Sequence, residues 1–490
     1  MLPPLRALTC ALCALSTTAF AQKAQFVGTG GTLHVVATTP AAVSSASVNT
    51  SVSVTFDRPI DLSTVDRESW RVFGRYSGPH TGHWTFSQGG RRITFRPDEP
   101  FSAGEVVWVN LAKTIQGMDR SRLRSAGYAF QFGTSVAASS GTFTEYDVLS
   151  NRDCCQTRIY GASATDLDHD GFLDLTTVNE VSADLRVFPN LGDGTGNYGA
   201  FLTPEPIGDE ASPNEPADFD NDGNADLCVA ATDSGDVWIV LGNGDCTFAP
   251  PQSIDVGNEP HGIVTLDVDG DADLDIVNCN FQSNNLSLMI NDGSGVFGSP
   301  SYFEGGVNGE FGLAAGDMDK DGITDLVVAG ETGWQVHTLL GNGDGTFTAL
   351  GPAQTTGGAT WVVQLGDVDG DGDLDASTAN ATSQNAAILK NNGTGFLTAP
   401  ALVNLGAHTV STDLGDLDGD GDLDWAISSF GGGFWRLYRN NGSGAFNLWH
   451  EIEAPSNPSC CILLDMDNDG DLDLALTDEI ADVVVLMAND

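Results

Sequence analysis

The chain has 490 residues, 67 acidic against 20 basic side chains, a formal net charge of −47 and 41% hydrophobic residues. That length exceeds one ordinary domain, and so acidic a chain lacks the basic face that phosphate backbones require, which excludes nucleic acid as a partner. Beyond the N-terminus no stretch is long and apolar enough to span a bilayer.

The chain begins as an export signal does. Met1 to Arg6 carries one positive charge, Ala7 to Phe20 is apolar or small, and Ala19-Phe20-Ala21 fits the small-x-small cleavage rule. Residues 1–21 are read as a signal peptide cut before Gln22; as a membrane anchor the run falls short of the ~20 residues needed. Cleavage removes Cys10 and Cys13, and export permits disulfides among the other seven cysteines, an odd number. The charge is unevenly placed: 12 basic and 8 acidic residues lie between 22 and 140, but 7 basic and 59 acidic from 141 onward.

Residues 22–134 read as an all-β domain. Ser51 to Phe56 is a period-two strand, as are Trp70 to Phe73, Val106 to Val109 and Tyr128 to Phe132. Trp84-Thr85-Phe86 and Ile93-Thr94-Phe95 flank Gln88-Gly89-Gly90, a hairpin turn. Short strands at this spacing predict a β-sandwich. His80 and His83 could bind a metal as a pair, but two ordinary loop histidines are the favoured reading. The segments Val54 to Ile60, Ile93 to Pro97, Phe101 to Glu105 and Phe130 to Thr134 resemble bacterial Ig-like domains of the S-layer-associated type, which implies a spacer or adhesive module. Residues 135–140, small and polar, read as a linker.

From residue 141 one motif recurs. Its fullest copy is Asp367-Val368-Asp369-Gly370-Asp371-Gly372-Asp373-Leu374-Asp375. Carboxylates this crowded repel one another, and a hard divalent cation with oxygen ligands, calcium above all, makes sense of them. Copies begin at Asp166, Asp218, Asp267, Asp317, Asp367, Asp416 and Asp465, 49 to 52 residues apart. The expected ligands are side chains at positions 1, 3, 5 and 9 and the carbonyl at position 7. They are Asp166, Asp168, Asp170, Phe172 and Asp174; Asp218, Asp220, Asp222, Asn224 and Asp226; Asp267, Asp269, Asp271, Asp273 and Asp275; and Asp317, Asp319, Asp321, Ile323 and Asp325. The later copies give Asp367, Asp369, Asp371, Asp373 and Asp375; Asp416, Asp418, Asp420, Asp422 and Asp424; and Asp465, Asp467, Asp469, Asp471 and Asp473. Six copies have glycine at position 6 for a sharp turn; the third has Ala272, which is strained if φ is positive there. Position 12 is never acidic and β-branched runs follow, which excludes EF-hands.

A period near fifty with four strand-like runs per unit predicts the blades of a propeller. In each unit a strand enters the loop and a second leaves it. A third leads to an Asn-Gly-type turn, and a Phe-bearing fourth follows, as in Asn342 to Phe347. The seventh unit stops at Val483 to Asp490 without a fourth strand, and the missing words stand at Gly141 to Tyr146. Residues 141–149 are therefore expected to supply the outer strand of the last blade and to close the ring. The expected fold is all-β: a seven-bladed β-propeller over 141–490 behind an Ig-like β-sandwich. The repeats resemble the FG-GAP/VCBS family of integrin α-subunit propellers and secreted bacterial proteins. The resemblance implies calcium, up to seven ions, in the loop joining the first two strands of each blade.

Cys154-Cys155 and Cys460-Cys461 fall in what would be neighbouring blades, so a disulfide between the pairs is a candidate staple, with vicinal or free thiols as the alternative. Loops opposite the metal side carry Glu215-Pro216, Pro260-His261, Glu310-Phe311, Trp361, His408 and Asn457-Pro458; Trp361 with His261 and His408 is a candidate ligand rim, with channel lining as the simpler reading. No nucleophile motif, paired acid/base spacing or phosphate loop is present in the sequence. The expectation is a secreted, calcium-stabilised binding or adhesion protein with an extracellular protein or glycan ligand. A carbohydrate-active enzyme on the metal-free face and a structural envelope protein are the alternatives.

Overall fold

The computed structural model describes residues 31–489, which are all-β; the only helical turn among them is the 3-10 turn Leu62–Thr64. The expected signal segment, 1–21, lies outside the described residues.

Residues 35–134 form two sheets, one of four strands and one of five. Alternating side chains of both, among them Val54, Phe56, Phe95, Val107, Phe130 and Phe132, meet in one core. The hairpin expected at Gln88-Gly89-Gly90 is present: Trp84 pairs with Phe95 and Phe86 with Ile93, and all three turn residues have positive φ. The two candidate histidines part company. His80 hydrogen-bonds Ser77 Oγ and packs on Phe101, whereas His83 sits in solvent beside Asp98.

From residue 143 onward the chain forms seven sheets. In the first, strands Ile159–Thr165, Asp174–Asn179, Asp184–Phe188 and Glu205–Pro206 pair antiparallel in that order. The first strand of every sheet packs on the first strand of the next, and Pro458–Leu464 of the last packs on Ile159–Thr165 of the first. Second strands such as Asp226–Ala231 are buried along their whole length because a sheet covers each face; they read as near-continuous apolar runs rather than as alternation. In the last sheet Phe143–Ser150 pairs with Val483–Asn489, with a bulge between Glu145 and Asp147.

The outer strands depart from expectation. The Phe-bearing segment was expected to be the fourth strand throughout. In the second, third and fifth sheets Phe248, Phe297 and Leu397 form only an isolated bridge, and the strand proper starts later, at Gln252, Ser301 and Ala401. Proline is the cause. It removes an N–H and breaks the ladder, and Pro250-Pro251, Pro300 and Pro400 stand between bridge and strand. In the fourth sheet Pro352 separates two pieces, Phe347–Ala349 and Gln354–Thr355, of the same outer edge. The sixth and seventh sheets have no proline there and run unbroken over Asn447–Glu453 and Phe143–Ser150.

Of the two readings of the cysteine pairs, the structure has the free thiols and not the staple. All seven thiols are free, and Cys461 is buried between sheets. The junction relies on Asp482 instead: it accepts from Thr157 N at 3.1 Å and Arg152 Nε at 2.7 Å, which ties the seventh sheet to the entry into the first. Residues 135–140 are not a free tether. Ala137 N donates to Gly470 O at 2.6 Å and Ser139 Oγ to Leu417 O at 2.9 Å, so the segment runs along the aspartate loops.

Candidate metal loops and a central funnel

Each aspartate loop joins the first strand of a sheet to the second, and the same hydrogen bonds recur because the spacing recurs. Position 5 receives the N–H of position 7 in every copy, from Phe172 to Asp170 at 2.9 Å through Asp471 to Asp469 at 3.1 Å. In all copies but the second, position 1 receives the N–H of position 6, at 2.8 to 3.1 Å. This arrangement needs positive φ at position 6. Gly171 has +84° and Ala272 +75°, so the alanine sits in the strained region as expected.

Position 9 does more than the sequence indicates. One oxygen of Asp424 accepts from Leu417 N (3.2 Å) and the other from Asn440 N (2.8 Å), and Asp174, Asp226, Asp275, Asp325, Asp375 and Asp473 repeat this pattern. Each therefore clamps the start of its loop to the end of the third strand. Two recurrent side chains had been passed over as turn residues. Asn190, Asn291, Asn391, Asn440 and Asn489, at the ends of third strands, each donate Nδ2 to a loop carbonyl of the preceding sheet at 2.8 to 2.9 Å. Position 4 reaches the next loop: His169 meets Asn224, Asn221 meets Asp273, and Asn468 meets Gly171 O, which links the last loop to the first. The asparagine recurs at a fixed offset from the aspartates, which is its signal; position 4 is histidine, asparagine, glycine or lysine in different copies and carries none.

The donor set fits a hard cation. Ligand oxygens of Asp166, Asp168 and Asp170 lie within 4.8 Å of one another, as do those of Asp218, Asp220 and Asp226 and of Asp317, Asp319 and Asp325. Oδ1 of Asp166, Asp218, Asp416 and Asp465, all position 1, is buried with no hydrogen-bond partner. An orphaned carboxylate oxygen is costly to bury, and four at equivalent positions call for a ligand that supplies positive charge. Without one, burial pushes Asp218, Asp317 and Asp465 up to about 7 and Asp226, Asp325 and Asp473 up to about 8. The Cys246 thiol, unassigned from sequence, lies 3.2 Å from Asp174 Oδ2 beside the first loop.

The third loop differs in its neighbours too. Asp267 has both oxygens satisfied by backbone N–H groups, as do Asp317 and Asp367, so the difference lies in the cations around it. Lys113 of the N-terminal domain donates to Asp269 Oδ1 at 2.9 Å and to its carbonyl at 3.0 Å, and Arg71 pairs with Asp273 at 3.2 Å. Protein cations also touch the fifth and sixth loops through Lys390–Asp369 and Arg439–Asp418.

The N-terminal domain thus docks on the loop face, and one of its turns packs against the first strands of the first and seventh sheets. Tyr76 Oη donates to Leu463 O at 2.5 Å and Tyr76 O accepts from Asp166 N at 2.8 Å. Above Arg75 and Tyr76 opens a cavity of about 520 Å³ that reaches the opposite face. The three rim residues expected there are brought together, with Phe311 of the same set of loops and two aromatics, Tyr160 and Phe430, that the sequence did not single out. Successive ring centroids lie 5.9 Å apart for Tyr160–His261, 3.7 Å for His261–Phe311, 5.1 Å for Phe311–Trp361, 4.9 Å for Trp361–His408 and 6.1 Å for His408–Phe430. Burial lowers His261 to about 3 and depresses His408, so both rings are neutral at ordinary pH. Across from this arc stand Glu180, Glu210 and Glu479, the first and last bridged by Arg158 at 2.9 Å. Burial raises all three glutamates, and their mutual repulsion adds to it.

The FG-GAP-like repeat profile matches residues 166–229, 218–278, 267–328, 317–378, 367–427 and 416–476, and that of a bacterial Ig-like domain matches residues 31–134. No curated protein matches the sequence. Similar solved structures include BBS1N in complex with ARL6DN, with a TM-score of 0.51 and 12% identity over 71% of this chain and 97% of that one. An Agrocybe aegerita protein that recognises non-reducing terminal N-acetylglucosamine has a TM-score of 0.42 and 19% identity over 61% of this chain and 81% of that one. Virginiamycin B lyase from Staphylococcus aureus has a TM-score of 0.47 and 12% identity over 71% and 99%.

Proposed function

The chain belongs to the FG-GAP-like repeat family, with a bacterial Ig-like domain ahead of the repeats, and from that premise we propose a secreted, calcium-stabilised, seven-bladed propeller that binds an extracellular ligand. The seven sheets are read as blades, with Phe143–Ser150 as the closing outer strand of the last. Calcium is read into the loops because all-oxygen donors on a flexible turn suit it. The orphaned Oδ1 atoms of the first, second, sixth and seventh loops support those sites most directly. The third loop is read as calcium-free, its charge offset by Lys113 and Arg71. When bound, calcium would supply the positive charge that these carboxylates lack; the chain's own part is to pre-set the loop through the position-6 and position-7 N–H bonds. Export follows from the leader-like segment 1–21.

The observation that carries the binding role is the aromatic arc at the mouth of the funnel. Pockets that hold ligands are concave and mostly apolar, with a few polar groups, and this one joins rings of the first, third, fourth, fifth and sixth sheets to glutamates of the first, second and seventh. A screen of the calcium-loaded full chain against glycans and extracellular proteins tests this. Binding that is lost in Trp361→Ala, without turnover, is expected. Product release from a polysaccharide would refute the binding role in favour of an enzyme.

A further inference from the structure

The funnel is blind, and its charge names a class of ligand. The floor is a rigid turn of the Ig-like domain: Glu105 accepts from Tyr76 N at 2.8 Å and Ser77 N at 2.9 Å, and Tyr76 is hydrogen-bonded into the ring. Arg75 beside it closes the base of the cavity. A ligand therefore enters from the face away from the loops and ends inside. Five carboxylates, Glu180, Glu210, Glu215, Asp413 and Glu479, line the cavity against the two guanidinium groups of Arg75 and Arg158. The histidines add no compensating charge, since burial keeps His261 neutral. Aromatic faces beside an excess of carboxylate suit an organic cation, which gains from both ring quadrupoles and ion pairing.

A separate observation points the same way. Asn214 is buried at 4% exposure on the cavity wall. Its Nδ2 is committed to Ser163 Oγ at 2.8 Å and Thr176 Oγ1 at 2.9 Å, which leaves Oδ1 as an acceptor with no partner. Glu180 Oε2 is likewise buried and without a partner. Asn214 Oδ1 and Glu180 Oε2 thus await a donor, while Trp361 Nε1, also buried without a partner, awaits an acceptor, and the net charge of −47 draws cations toward the protein.

Resting on the reading of the funnel as the ligand site, we propose that it takes a protonated organic amine at the end of a chain, seated between the aromatic arc and Glu180, Glu210 and Glu479. Amino sugars, polyamines and lysine-rich peptides share this chemistry. Titration calorimetry on the calcium-loaded full chain uses a glucosamine trimer, its fully N-acetylated counterpart, spermine and trilysine. At least one amine is expected to bind, the free-amine trimer at least tenfold tighter than the acetylated one. Glu210→Gln is expected to weaken amine binding about tenfold and Trp361→Ala to abolish it. Which amine binds best identifies the source. Equal or tighter binding of the acetylated trimer, lost in Trp361→Ala, would overturn the amine assignment and leave the funnel as the site. Amine binding unchanged in Trp361→Ala, or no binding of any amine, would overturn the proposal. Binding of some other ligand that persists in Trp361→Ala would remove the funnel reading itself.

Discussion

Chelation at two pH values tests the cation reading most severely. In the metal-free protein, Asp218, Asp317 and Asp465 titrate near 7 and Asp226, Asp325 and Asp473 near 8, against an ordinary value of 3.8. Raised values mean that folding favours the protonated form. The metal-free fold is therefore most stable below about pH 4, and it loses stability as pH rises through about 6 to 8. A shift of about three units is worth on the order of 4 kcal/mol per carboxylate, so several such groups ionised together would rival the ~5–15 kcal/mol that holds an ordinary domain. Calcium reverses the sign, because it binds the ionised form and displaces protons. At tenfold excess over the dissociation constant each site adds about 1.4 kcal/mol, so six sites give about 8 kcal/mol. With an unfolding entropy of roughly 2.1 cal/mol/K per residue over the roughly 350 residues of the repeats, that is a Tm rise of about 11 °C. Differential scanning calorimetry with and without chelator should find this gap at pH 8 and little of it at pH 5. A Tm at pH 8 that chelator leaves within about 2 °C would refute the argument.

Four substitutions probe the loops and the outer strand of the last sheet. Asp424→Asn replaces an acceptor of two backbone N–H groups and is expected to cost about 1–3 kcal/mol in calcium, and also in chelator at pH 5, where the buried carboxyl, raised to about 7, is neutral and carries no charge penalty. Asp420→Asn should cost stability only when calcium is present, and urea unfolding under both conditions separates the two. Ala272→Gly relieves φ +75° and should stabilise by about 1 kcal/mol, read as a shift of the urea midpoint; no gain would mean that the lost methyl packing in this buried site outweighs the strain. At Gly141, with φ +63°, an added Cβ would lie 2.0 Å from the Trp449 ring. Gly141→Ala should therefore lower Tm and speed amide exchange along 143–150, while exchange in the second strands stays slow.

Much of this architecture is legible in one dimension. A nine-residue acidic pattern at fixed spacing identifies the loops, because a metal-binding turn needs all its ligands within one short segment. The unfinished seventh unit and the orphan words at Gly141 to Tyr146 point to the pairing later found between Phe143–Ser150 and Val483–Asn489, since an edge strand needs a partner. The strained alanine of the third loop is likewise a local matter of φ. Other features depend on chain segments hundreds of residues apart. Lys113 at Asp269 and Arg71 at Asp273 cross between domains, and no local pattern encodes a docking geometry. Cysteine spacing suggested a disulfide, but the side chains diverge: Cys461 packs between sheets while Cys154 and Cys155 stay at the surface. The aromatic arc draws one ring from each of several sheets, so its members are about fifty residues apart and look unremarkable singly. Sequence alone determined the repeating unit, its aspartate loops and their number, because each is set by short-range spacing. The cavity, its floor from another domain and its excess of carboxylate were decided only when the sheets packed first strand against first strand and brought distant side chains to face one another.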